Sequence, residues 1–179
     1  NTSIGRNPGA YRINSIDLQN HKGRILDISS LVTDFRIVES IYRSYNEIDI
    51  NIKDNVNLFE ELELSGQEIV KVSLTKNDIE IGKVTIDKLF YITEYPLFSK
   101  FPSNKTQVYK LRGISHYAFS SELKKISRYV SGQTKNIIKN IFVNDLGVLE
   151  DNILMSNDES TKINAIIPNL TPLSTIRWL

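Results

Sequence analysis

The chain has 179 residues, with 22 Lys and Arg against 21 Asp and Glu, a formal net charge of +1, two histidines and no cysteine. That length supports a core without disulfide or metal help, and the missing thiol removes cysteine catalysis, disulfide scaffolds and cysteine-based zinc sites. The even charge, with no basic block, argues against a nucleic-acid surface, and no apolar run approaches the roughly 20 residues of a membrane span, so neither kind of partner is expected.

The segment Asn1–Gly9, polar with Gly5, Pro8 and Gly9, is expected to be an arm that orders against a partner. Tyr11–Leu18 is the first predicted strand and Leu31–Tyr42 the second, with Leu31, Phe35, Ile37 and Ile41 on one side. From Asn46 to Leu74 the chain then reads strand, helical turn, strand. Ile48, Ile50 and Ile52 alternate with Asp49, Asn51 and Lys53, so one face is buried and the other stays polar. Leu58, Phe59 and Leu62 fall at helical spacing, which suits a short helix plugging one end of a barrel or sandwich, and Ser65-Gly66 supplies the turn back. Val70, Val72 and Leu74 alternate again, and Lys76-Asn77-Asp78 predicts a turn. A long β-branched and aromatic strand follows over Lys83–Tyr95, ended by Pro96 and by Phe101-Pro102-Ser103-Asn104. The last strand is Gln107–Phe119, with Tyr109, Leu111, Tyr117 and Phe119 on a common face.

Beyond Ser120 the period changes. Ile137, Ile138, Ile141 and Phe142 form one stripe of a helix over about Gln133–Asp145, Gly147 stops it, and Asn152–Lys162 is a polar loop. Thr171-Pro172 reads as N-cap and first residue of another helix. The fold class is therefore mainly β with α (α+β): the strands argue an antiparallel barrel or sandwich, taken as an antiparallel β-barrel domain over 1–119 with its N-terminal arm, followed by a partial α/β segment over 120–179. That second segment is expected to be the start of a further α+β domain, incomplete here, with its isoleucine stripe in need of a partner. Asn1 and the ending Arg177-Trp178-Leu179 fit a piece of a longer protein.

Chemistry is sparse. His21 and His116 lack metal-site spacing. Glu60, Glu61 and Glu63 beside Leu62 are the candidates for an acid pair, but three carboxylates on a short helix mostly face water. No serine sits in a Gly-x-Ser-x-Gly elbow, and Gly66, Gly82, Gly113, Gly132 and Gly147 are too scattered to cradle a phosphate. Ser131-Gly132-Gln133-Thr134 is a turn and helix start. No catalytic, cofactor-binding or metal residue is assigned, and neither a cofactor nor enzymatic activity is expected. Tyrosines stand at 11, 42, 45, 91, 95, 109, 117 and 129, a residue type favoured both in strands and at interfaces.

The order of elements resembles the central baseplate hub protein of T4-like contractile-tailed bacteriophages. The residues that carry the resemblance are Ile48–Leu74 with its Leu58-Phe59 plug and Gly66-Gln67-Glu68-Ile69 return, and the strand Tyr109-Lys-Leu-Arg-Gly-Ile-Ser-His. Ser121-Glu122-Leu123, Gly132-Gln133-Thr134-Lys135-Asn136-Ile137-Ile138 and Ile167–Leu179 continue it. The resemblance implies a structural virion protein of the tail baseplate, assembled in the host cytoplasm. It also implies a homotrimer that links the tail tube protein to the central spike protein, beside the baseplate wedge proteins. Similar barrels occur in spike proteins of bacterial contractile secretion machines. A ligand-binding β module, for instance one holding carbohydrate on a tyrosine-bearing sheet face, is the alternative from another class.

Overall fold

The computed structural model describes residues 11–40, 42–78, 82–100, 106–156 and 160–179. The chain divides into two units, Asn1–Glu39 with Asn46–Ser115, and Ser40–Tyr45 with His116–Leu179. The fold is α+β and mostly antiparallel β.

In the first unit β1 (Tyr11–Gln19), β2 (Ile25–Asp27), β3 (Val32–Val38), β4 (Glu47–Asp54), β5 (Ile69–Asp78), β6 (Gly82–Lys100) and β7 (Gln107–Ser115) form one sheet. The sheet is seven-stranded, in the order β2-β1-β5-β6-β7-β4-β3, with every neighbouring pair antiparallel. The two ends of that order are consecutive in sequence. Ile28 N–H donates to Ile16 O on β1 at 2.8 Å, while Leu31 O accepts from Lys53 N–H on β4 at 2.9 Å. One segment, 25–38, thus pairs first with β1 and then with β4, and curls the sheet round into a barrel. Alternation fills it: Ile16, Leu18, Ile48, Ile50, Ile52, Val70, Val72, Phe90, Ile92, Tyr109 and Leu111 point inward and are buried, each aliphatic contributing about 1.5–3 kcal/mol. Gly113 belongs to this packing, because a Cβ there would stand 2.7 Å from Tyr91 O.

The expected plug is present as α1 (Leu58–Glu61), with Leu58 and Leu62 fully buried. Asp54, at the inward end of β4, caps it: Oδ1 accepts from Val56 N–H at 2.9 Å and Oδ2 from Leu58 N–H at 2.7 Å. The free first-turn amides of a helix are satisfied in this way.

Three boundaries differ from the sequence reading. Lys76-Asn77-Asp78 is not a turn, since β5 continues to Asp78 and pairs there with Gly82; the cross-strand ladder outweighs local turn preference. Pro96 does not end β6, which runs to Lys100 with register shifts between Ile92 and Glu94 and between Glu94 and Leu97. A residue without an N–H is accommodated at such an irregularity. The strand β7 stops at Ser115, and Tyr117 and Phe119 lie on α2 (His116–Glu122), where period two no longer places them beside Tyr109. Ile41 and the 1–9 arm lie outside the described residues.

The second unit contains α2, β8 (Tyr129–Gln133), α3 (Thr134–Asn140), a π-helical turn Ile141–Asp145, a 3-10 turn Glu150–Asn152, β9 (Lys162–Ile166) and α4 (Pro172–Trp178). The strands β8 and β9 pair antiparallel. Half of the expected stripe finds cover within its own unit: Ile137 and Ile141 are buried with Ile126 and Ile167, and Val130, Ile163, Leu170, Ile176 and Leu179 pack on them, whereas Ile138 and Phe142 stay half-buried. Thr171 is the N-cap of α4, its Oγ1 accepting from Ser174 N–H at 3.3 Å. No helix among the described residues is long and apolar enough to cross a membrane.

Candidate functional site

One outer wall of the barrel carries a row of paired charges. Cross-strand register sets Arg36 opposite Asp49, Asp49 opposite Arg112, and Arg112 opposite Glu94, so four adjacent strands present alternating charge in one row. The contacts are close: Arg36 Nη2 to Asp49 Oδ2 at 2.8 Å, Arg112 Nε to Asp49 Oδ1 at 3.1 Å, and Arg112 Nη1 to Glu94 Oε2 at 3.0 Å. Lys110 Nζ adds a third cation, 2.9 Å from Asp49 Oδ2. The Asp49 side chain is only 12% exposed. Burial pushes its pKa up, but hydrogen bonds from Lys110, Arg112 and Arg36 outweigh that and hold it at about 2. Opposite charges placed directly across strands stabilise a sheet; this row is mutually paired and contains no nucleophile.

At the plugged end two buried carboxylates meet two phenols. Glu68 accepts from Gly66 N–H at 2.9 Å, from Ser65 N–H and from the Tyr95 hydroxyl. Gly66 sits at φ +91, the region that favours glycine. Tyr109 donates to Asp54 Oδ2 over 3.5 Å. Burial raises the pKa of both phenols, with Glu68 adding to it for Tyr95 and Asp54 for Tyr109. The Phe59 ring joins them, its centroid 5.4 Å from that of Tyr95 and 4.9 Å from that of Tyr109. Each carboxylate is thus held by backbone amides and a phenol, so this cluster closes the barrel end.

The residues singled out from sequence are dispersed. Arg24 bonds Glu61, and Lys22 pairs with Glu63 and lowers its pKa, all at exposed positions; Glu60 is exposed as well. No protected acid pair results. His21 Nδ1 lies 3.2 Å from Ser65 Oγ at the barrel end, whereas His116 opens α2 of the other unit and has a pKa lowered by burial. Among the described residues no group of three His, Asp or Glu could hold a metal ion. The tyrosines do not gather on one sheet face: Tyr109 is buried on β7, Tyr95 half-buried at the plug, and Tyr11 and Tyr129 are exposed on β1 and β8. Missed from sequence were Asp49, whose partners lie on other strands, and Asp54 and Glu68, which join local backbone amides to a tyrosine distant in the chain; the inward parity of Asp54 with Ile48, Ile50 and Ile52 was available as a signal.

No family model matches the chain. A 76-residue stretch is 30% identical to a curated protein of Buchnera aphidicola named as an uncharacterized metal-dependent hydrolase, covering 38% of this chain and 29% of that protein. This overturns the expectation that the chain is no enzyme, although the shared stretch covers too little of either protein to carry an activity across. Among solved structures, the tail protein from Neisseria meningitidis MC58 matches with a TM-score of 0.56 at 15% identity, over 93% of this chain and 43% of that one. The 43 kDa tail protein of prophage MuSo2 from Shewanella oneidensis matches with a TM-score of 0.56 at 14% identity, over 94% of this chain and 47% of that one. The chain thus spans less than half the length of these two proteins. A chain of the Francisella PdpA–VgrG complex superposes more loosely, with a TM-score of 0.47 at 17% identity. By fold, the chain is similar to these two tail proteins, one of them from a prophage, over nearly its whole length, as the sequence resemblance implied, without the T4-like branch being singled out.

Proposed function

We propose that this chain is a structural part of a phage tail, the baseplate central hub that joins tail tube to central spike as a homotrimer in the virion. The observation that carries the reading is the likeness in fold, over 93% and 94% of this chain, to two tail proteins, one of them from a prophage. The two units are read as the barrel domain and the opening of the following α+β domain of such a hub. Light scattering on the full-length protein tests this, with a trimer mass expected across the micromolar range. A protein that stays monomeric, alone and with its tail tube and spike partners added, removes the hub reading.

A further inference from the structure

We draw no further inference here: the strongest candidate, the edge that Tyr11–Ser15 of β1 leaves unpaired among the described residues where pairing with β2 stops at Asp17, with Tyr11 and Ile13 exposed beside it, carries nothing because nothing in the structure shows what covers it.

Discussion

In the barrel β4 lies between β3 and β7, and the segment 25–38 bridges β1 and β4, so inward residues such as Ile48, Ile50 and Ile52 are sealed completely. In the second unit β8 and β9 have only each other. Their inner residues Val130 and Ile163 pack on the small isoleucine core, while Tyr129 and Ile166 face each other across the strands and stay 64% and 71% exposed. A two-stranded sheet is marginal alone, and this one depends on α3 and α4 for cover. The curled sheet stabilises itself, whereas the second unit has a small core and leaves apolar surface outside.

The largest expected effect sharpens that contrast. Phe90 is 1% exposed inside the barrel, and Phe90→Ala should cost about 3–5 kcal/mol in urea denaturation. Segment-resolved hydrogen exchange should then show barrel amides losing protection and β8–β9 amides keeping theirs. If both units lose protection together, the chain is one cooperative block and the contrast fails.

The charge row comes next. Asp49→Ala leaves Arg36, Lys110 and Arg112 without their common partner and should cost about 1–3 kcal/mol. Asp49 is held at about 2, below its ordinary 3.8. Its stabilisation is therefore fully present above the ordinary value and is lost as pH falls through the folded value. The difference in stability between wild type and Asp49→Asn should be constant above about pH 5 and shrink from about pH 4 toward pH 2. A difference that stays flat over that window would show that the row carries no net stabilisation.

A smaller effect belongs to the second unit. Thr171→Ala removes the α4 cap and should cost about 1 kcal/mol, read as faster exchange of α4 amides with the barrel unaffected. The smallest is at the plug rim, where Lys22→Ala breaks an exposed pair with Glu63 and should leave the urea denaturation midpoint where it is in wild type. A clear drop in that midpoint would mean that the plug depends on its rim charges more than surface pairs usually allow.

Local pattern made much of the barrel legible. The alternation through Ile48–Lys53, the Leu58-Phe59-Leu62 spacing and the Thr171-Pro172 cap each appear in the structure where the residues put them, because strand parity, helical stripe and capping need only neighbours a few positions away. Legibility failed where a partner far along the chain decided. The short strands Ile25–Asp27, Tyr129–Gln133 and Lys162–Ile166 have little period of their own and exist because β1, or each other, supplies the ladder. The helix α2 replaced an expected strand end for want of such a partner.

By itself the sequence determined the α+β class, the inward set of the barrel and the place of its plug, since burial parity is written residue by residue. Only the tertiary structure decided which charges meet, that Asp54 and Glu68 are buried while Glu60, Glu61 and Glu63 are not, and that the helical run of α3 ends in a π turn. Those outcomes depend on register and on helix winding. Both are set by the sum of many weak contacts between segments distant in the chain, and no short stretch of sequence contains that sum.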